Sequence, residues 1–322
     1  MNASIIIPVY NGSLLIDRCL NSIYNQHGEF DLEVIVIDDG SEDNSVDLVR
    51  SYSRTVIVLE QNNQGPAVAR NKGIETATGK YLAFLDADDY WLPDFLKETV
   101  RFLEENPEVI SVSTGQLHKI PGKPDALVPT ILKTDSGKYS QPVVLPDFFS
   151  FWAEHNHVCT GSVLMRTDIV KKTRGQRPDL RITEDLEFWA YLATFGKWGF
   201  IPQVLFVSDG GAVTKQKGWL EKNRKRWISA PTIDEWESRI IKKIDKPLPA
   251  GYLSARGQIA GNLAYSMILS SRDSLALETI RSTRHHLKMN KLNTILKTAS
   301  IYPPFWKLIC LILRAREYSR KV

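Results

Sequence analysis

Lys80–Asp89 reads KYLAFLDADD. Tyr81–Leu85 is a continuous apolar run, the composition of a strand buried on both faces of a sheet. The run breaks off at Asp86, Asp88 and Asp89, so three carboxylates crowd one strand tip. Charges that close push at least one group toward its neutral form unless a counter-charge intervenes. A divalent cation is such a counter-charge, and carboxylate oxygens are the ligands that hard Mg²⁺ or Mn²⁺ prefer. Ala87, between Asp86 and Asp88, is small enough to let a ligand approach. A solvated acidic turn is the alternative reading, and the flanking sequence decides between the two.

On the N-terminal side, Ser4–Val9 (SIIIPV) reads as a buried strand, with Pro8 marking its end because proline cannot donate to a central ladder. Tyr10-Asn11-Gly12 is a loop, and Ser13 is placed to cap a helix over Leu14–Gln26. Leu32–Ile37 is a second strand, closed by Asp38-Asp39-Gly40-Ser41. Asn44–Tyr52 reads as a helix and Thr55–Leu59 as a third strand. Gln64–Thr78 is a loop and then a helix, entered at Gly65 and Pro66. Arg70 and Lys72 lie in its N-terminal half, where free backbone N–H groups favour anions; a solvated helical face is the other reading of these cations. Strands alternating with helices define an α/β fold, with a mostly parallel sheet flanked by helices. In such sheets ligands gather at the carboxyl ends of the strands. Pro8–Asn11, Asp38–Ser41 and Asp86–Asp89 all fall at those ends, which random acidic turns would not do.

On the C-terminal side, Pro93–Glu105 is a helix and Val109–Gly115 a strand. Lys119–Pro146 is an irregular excursion, long enough to cover a site or bind a partner. Val158–Met165 is a small-residue strand able to pass close to a ligand. Glu184–Phe195 is helical and Gly199–Val207 the last strand. Lys215–Trp227, KQKGWLEKNRKRW, reads as a mobile basic lid, with a lipid-facing segment and a solvated charge run as alternatives. Gly251–Lys297 is helical. Ile301–Val322 joins an apolar core to Arg314, Arg316, Arg320 and Lys321. It suits an interfacial helix at an anionic membrane, or a terminal helix docked on the main domain.

The chain has 322 residues, enough for a large domain with an appendix, and an ordinary globular composition. A net charge of +4 without a clustered basic face gives no reason to expect nucleic acid as a partner. The start MNASIIIPVYNG lacks a basic region and a long apolar run, so no export signal is read there. No stretch reaches the ~18 apolar residues of a spanning helix. Cys19, Cys159 and Cys310 are scattered and suit core packing in a reducing compartment. Neither GxGxxG after the first strand nor GxxxxGK[ST] occurs, which argues against a hydride-transferring dinucleotide fold and a P-loop enzyme.

Taken in order, SIIIPVYNG (4–12), VIVIDDGSEDNS (34–45), NQGPAVARNKGIETATG (63–79), YLAFLDADD (81–89) and TEDLEFW (183–189) resemble the family 2 glycosyltransferases of GT-A fold. The resemblance covers about two thirds of the chain. It implies a GT-A (Rossmann-like) domain over 1–210, with a nucleotide-binding half at 1–105 and an acceptor half at 106–210. A basic lid or linker at 211–250 and a C-terminal helical extension at 251–322 follow. It also implies an inverting transfer of one sugar from a nucleoside-diphosphate sugar to a saccharide or lipid-linked saccharide, in O-antigen or capsule synthesis.

Within that resemblance Asp39 reads the base. A carboxylate accepts from the imide N–H of uracil or thymine, guanine also offers N–H donors, and neutral cytosine offers none at that position. The backbone near Pro8 and the ring of Tyr10 flank the base, and Asn11 and Ala87 belong to the donor-binding set. Arg70 approaches the nucleotide or its phosphates. Asp86 sits by the ribose or metal, and Asp88 is the direct ligand of Mn²⁺ or Mg²⁺. Asp185 matches the general base, Glu184 is placed to bind acceptor or donor-sugar hydroxyls, and Trp189 to offer an apolar platform to a sugar ring. Without the resemblance, Glu184 and Asp185 read first as carboxylates at a favourable helix end, and Trp189 reads equally as core. Arg226-Trp227 matches the end of the Gln-x-x-Arg-Trp motif of processive members, but Asn223 stands where the Gln would be, so a single addition is expected. A sugar-phosphate nucleotidyltransferase and a non-catalytic nucleotide-sugar-binding protein are the competing readings. The expected location is cytoplasmic, with peripheral contact at the inner face of the membrane.

Overall fold

The structure is a computed structural model and describes residues 2–119, 122, 124–129, 139–209, 226–288 and 290–319. The chain forms two compact units: Met1–Phe148, His155–Pro178 and Phe188–Lys215 make the first; Phe149–Glu154, Asp179–Glu187 and Gln216–Val322 make the second.

The first unit is built on one sheet. Its strands are β1 (Asn2–Val9), β2 (Asp31–Asp38), β3 (Ile57–Glu60), β4 (Tyr81–Phe84), β5 (Tyr90–Trp91), β6 (Val109–His118), β7 (Ala126–Val128), β8 (Val143–Val144), β9 (Val163–Arg166) and β10 (Lys197–Ser208). Their order is β3-β2-β1-β4-β9-β6-β10-β5, with β7 beside β6 and β8 beside β10. β3, β2, β1 and β4 are mutually parallel. β9 runs antiparallel to both β4 and β6, and β6 is parallel to β10. Six strands therefore share one direction, and the carboxyl ends of β1, β2, β4 and β10 lie along one edge.

Alternation along β1 explains why both its faces are apolar. Ile5, Ile7 and Val9 share a core with Ile16, Cys19, Leu20 and Ile23 of the helix Ile16–Tyr24. On the opposite face Ile6 meets the helix Pro66–Thr76 at Gly73, where an added Cβ would stand 2.4 Å from Ile6 Cγ2 and 3.1 Å from Ile37 Cδ1.

Four expectations change in detail. Pro8 lies inside β1, paired with Ile37. Alternate residues of a parallel strand bond to alternate neighbours; Ile6 O accepts from Leu85 N and Val9 O from Asp39 N. The missing N–H of Pro8 therefore faces the side where β4 has already ended at Phe84. Ser13 caps nothing: the helix begins at Ile16 without a side-chain cap, and Ser13 N–H donates to Asp43 Oδ2 at 3.1 Å. Lys119–Pro146 contributes β7 and β8 rather than irregular chain alone, although 130–138 lie outside the described residues. The strand expected over 158–165 starts only at Val163. Ser162 Oγ accepts from Cys159 N at 3.1 Å and donates to Cys159 O at 2.9 Å, closing a turn that Gly161 (φ +93°) permits.

The second unit is helical: Ile233–Glu237, Ala250–Leu269, Asp273–Thr283, Lys291–Ala299 and Pro303–Ser319. Thr232 and Glu235 form a reciprocal capping box at the first of these. Its last residue, buried Glu237, accepts from Tyr252 Oη at 2.7 Å and from Arg256 at 2.8 and 2.9 Å. Pro303–Ser319 is docked through Trp306, Cys310 and Leu313, all buried. Trp306 Nε1 donates to Asp273 O at 3.0 Å, and Arg314 pairs with the Asp273 carboxylate at 2.5 and 3.0 Å. The C-terminal helix is thus docked on other helices of its own unit. Most of the expected basic lid, 210–225, lies outside the described residues. Among the described residues no helix is long and apolar enough to cross a membrane.

Candidate active site

The loops after β1 and β2 are stitched together. Asn11, at φ +52°, donates its N–H to Ser41 Oγ (2.9 Å), and its Oδ1 accepts from Glu42 N (2.8 Å). Gly12 N–H donates to Ser45 Oγ at 2.9 Å. Tyr10 stays exposed beside this seam and Pro8 is half-buried. Asp38 Oδ2 accepts from Gly40 N and Ser41 N at 3.1 and 3.0 Å, which fixes the DDGS turn. Asp39 is only 5 % exposed. Its Oδ1 accepts from Gln61 Nε2 and Gln64 N, and its Oδ2 from Gly65 N, each at 2.8 Å. Asp39 thus shapes the loop that leads into Pro66–Thr76, a task the sequence did not suggest.

After β4, Asp89 N–H donates to Asp86 O at 3.0 Å, turning the chain at once. The three acids then part company. Asp86 Oδ1 accepts from Arg70 Nη2 at 2.6 Å. Arg70 is buried, and its Nη1 donates to Gln176 Oε1 at 3.3 Å; Asn71 grips the Gln176 backbone at 2.7 and 2.8 Å. The expected phosphate-facing arginine therefore supports Asp86 from below. Asp89 is buried, and burial, then Asp86 and Asp88, push its carboxyl up to about 8; its Oδ1 accepts from Asp209 N at 2.8 Å. Burial and the neighbouring Asp86 also raise Asp88. Among the described residues the Asp88 carboxylate takes no hydrogen bond from another residue. Arg18 buckles the turn: it donates to Asp88 O at 2.6 Å and to Asp209 Oδ2 at 2.5 Å, and stacks over Tyr90 at 4.7 Å.

Among the described residues no three His, Cys, Asp or Glu side chains converge as a metal-ligand group. Mg²⁺ and Mn²⁺ are commonly held by one or two carboxylates together with substrate phosphates. Asp88, half-buried, uncommitted and raised by its acidic neighbours, is the residue whose chemistry fits such an ion. Asp86 is already neutralised by Arg70.

TEDLEFW forms the helix Glu184–Leu192, whose first turn carries Glu184, Asp185 and Glu187. Thr183 precedes it at φ +62°, a conformation that costs a β-branched residue about 1–3 kcal/mol and persists only where its surroundings impose it. Those surroundings are visible within the second unit. Thr183 O accepts from Glu187 N at 2.9 Å and from Trp236 Nε1 at 3.4 Å. Arg239 grips fully buried Glu187 through two bonds of 2.6 Å. Asp185 is half-buried, and Glu184 is buried with Arg226 Nη2 4.0 Å from its Oε1. Trp189 is 1 % exposed, edge-on to Phe188 at 5.0 Å and Trp198 at 6.4 Å. It is a core residue and offers no surface to a sugar.

Arg18, Gln176, Asp209 and Arg239 escaped the sequence reading. Only Asp209 had a signal: it follows β10, so the rule that flagged the other strand ends flags it too.

A sheet whose same-edge strand ends carry interlocked acidic loops, one of them with an uncommitted carboxylate, defines an α/β protein with a candidate ligand site at the carboxyl edge of its sheet. The chain belongs to glycosyl transferase family 2, whose family model matches residues 4–184. A putative teichuronic acid biosynthesis glycosyltransferase, TuaG of Bacillus subtilis, is 29 % identical over 199 residues, 60 % of this chain and 72 % of that protein. The chain spans less than two thirds of the length of several other curated relatives it matches. Residues 1–349 of S. aureus TarS in complex with UDP-GlcNAc share the fold at TM-score 0.55 and 16 % identity, over 93 % of this chain and 91 % of that one. The mannosyltransferase PcManGT of Pyrobaculum calidifontis, in complex with GDP-Man and Mn²⁺, does so at TM-score 0.57 and 20 % identity, over 98 % and 86 %. The expected GT-A architecture and the expected enzyme class are both borne out.

Proposed function

We propose that this glycosyltransferase moves one sugar, with inversion, from a nucleoside-diphosphate sugar, a UDP-sugar above all, to a hydroxyl of a saccharide or lipid-linked saccharide in cell-surface polysaccharide synthesis such as O-antigen or capsule. The observation that carries it is the division of labour after β4: Asp86 neutralised by Arg70, and Asp88 left uncommitted. Asp39, with Pro8, Tyr10, Asn11 and Ala87, receives the nucleoside. Asp88, assisted by Asp86, holds Mn²⁺ or Mg²⁺, which when bound supplies positive charge to the departing diphosphate.

Asp185 takes the proton of the acceptor hydroxyl as that oxygen bonds to the anomeric carbon. The bond from that carbon to the diphosphate oxygen breaks, and the nucleoside diphosphate leaves with the electron pair. No protein nucleophile is needed. The strained Thr183 and the Arg239 clamp support this role, because strain of that kind gathers where a side chain must be aimed. Glu184 serves acceptor or donor-sugar hydroxyls. TuaG, by its name a teichuronic acid enzyme, supports the polymer class, and the ligands of TarS and PcManGT support the donor class and the ion. Residues 1–210 are taken as the transferase domain, 211–250 as a lid and 251–322 as a helical region. The location is the cytoplasmic side of a membrane, in peripheral contact with anionic lipid.

Turnover of UDP-, dTDP- and GDP-sugars is the test, with Mn²⁺ and with excess EDTA, for the full chain and for Asp88→Ala. Metal-dependent release of nucleoside diphosphate, lost in the variant, is expected. Full activity in EDTA refutes the metal site, and formation of nucleoside triphosphate and sugar 1-phosphate from the nucleotide sugar and added pyrophosphate instead points to nucleotidyl transfer.

A further inference from the structure

Ten large apolar side chains are exposed among the described residues, and six of them are Ile301, Tyr302, Phe305, Leu308, Leu311 and Ile312. They belong to the helix Pro303–Ser319 and the two residues before it. This helix has two apolar sides. Trp306, Cys310 and Leu313 form one, buried against its own unit. Phe305, Leu308 and Ile312, at i, i+3 and i+7, form the other, with Leu311 on its flank. The outer four are 42–60 % exposed. The helix is thus held through its inner side while the outer side faces solvent over about half of its surface.

Charge says what covers it. Residues 250–322 hold twelve Lys and Arg against three Asp and Glu, a net +9, while residues 1–249 carry −5. Lys307 and Arg316 are exposed on this helix; Arg314 is taken by Asp273. A second copy meeting the same side would bring an equal positive charge, which like-charge repulsion opposes. An anionic bilayer offers the opposite charge above an apolar interior, and a helix with one apolar side and a basic border lies in that interface.

We infer that the outer side of Pro303–Ser319 is a preformed docking surface for an anionic phospholipid bilayer. Phe305, Leu308, Leu311 and Ile312 enter the interface, and Lys307 and Arg316 reach the headgroups. The inference rests on the peripheral membrane contact of the proposed function and names the surface that makes it.

Flotation tests it, using the full chain with phosphatidylcholine vesicles and with phosphatidylcholine–phosphatidylglycerol vesicles. The full chain should float with the anionic vesicles and far less with the neutral ones. Phe305→Glu/Leu308→Glu/Ile312→Glu should partition at least about tenfold less, with its far-UV circular dichroism and nucleotide-sugar turnover showing that the fold is kept. Leu308→Trp, at an unchanged melting temperature, should partition more. Equal flotation of the full chain and the triple variant overturns the surface and leaves the membrane contact standing. No flotation of the full chain with anionic vesicles overturns both, and leaves nucleotide-sugar turnover, assayed without lipid, untouched. A dimer that the triple variant splits overturns the inference in favour of a second copy.

Discussion

The pair Arg70–Asp86 is unequally buried: the arginine side chain is 6 % exposed and the aspartate 33 %. Removing one partner of a buried pair costs about 3–5 kcal/mol, because the other charge is left uncompensated. Asp86→Ala strands a guanidinium in the interior and should cost about that much. Arg70→Met strands a carboxylate that water reaches over a third of its surface, so the cost falls to about 1–3 kcal/mol. The double variant strands no charge and should be more stable than the sum of the two losses implies, by about 2 kcal/mol. Urea unfolding of the four proteins measures this, with unchanged slopes as the condition for comparing midpoints. Two results refute the reasoning: Arg70→Met costing more than Asp86→Ala, or the two effects adding to within about 0.5 kcal/mol.

Asp185→Asn should lower transfer at least ~10²-fold while UDP and Mn²⁺ binding by calorimetry stays as in the parent; near-parental turnover would give the proton to another group. Gly73→Val should destabilise by at least about 1–3 kcal/mol in thermal unfolding, since a Cβ at 2.4 Å from buried Ile6 Cγ2 has nowhere to go. Glu33 tests pH dependence. Burial raises its carboxyl, but bonds from the Ser4 hydroxyl and from the Thr78 N–H and hydroxyl outweigh burial and hold it below its usual value. A lowered folded value contributes stability above the unfolded value of about 4.3, and that contribution is lost as pH falls through the folded value. Glu33→Gln should therefore lower the melting temperature at pH 7 and have little effect in strong acid; an equal loss at both would refute it.

Much of the fold was legible because it rests on short-range pattern. SIIIPV, LEVIVI and YLAFL have no polar side, so each had to be buried on both faces, and their polar ends fell on one edge. What escaped depends on pairing across the chain. Pro8 reads as a terminator until the end of β4 is known. Ser13 reads as a cap until Asp43 claims its N–H. Arg70 reads as a phosphate ligand until Asp86 and Gln176 enclose it. Trp189 and Asp185 sit on one helix, and no periodicity separates a platform from a core residue once both sides of that helix are occupied. Arg239 holds Glu187 from 52 positions away, a distance at which sequence pattern carries no information.

The bonds around Asp39 act as a filter. A carboxylate has about four acceptor positions. Gln61 and Gln64 fill both on Oδ1, and Gly65 fills one on Oδ2. A base that meets Asp39 in the proposed way can give it one hydrogen bond and no second. Uracil and thymine have a single ring N–H on that edge and are fully met. Guanine presents its N1–H beside its amino group, a pair that asks for one position on each oxygen. One of its N–H groups would be buried without an acceptor, at about 1–3 kcal/mol, or roughly five- to 150-fold in affinity. Neutral cytosine has no ring N–H on that edge. In the proposed donor complex, the loop 61–65, by using up three acceptor positions on Asp39, would discriminate against a base that presents two adjacent N–H groups.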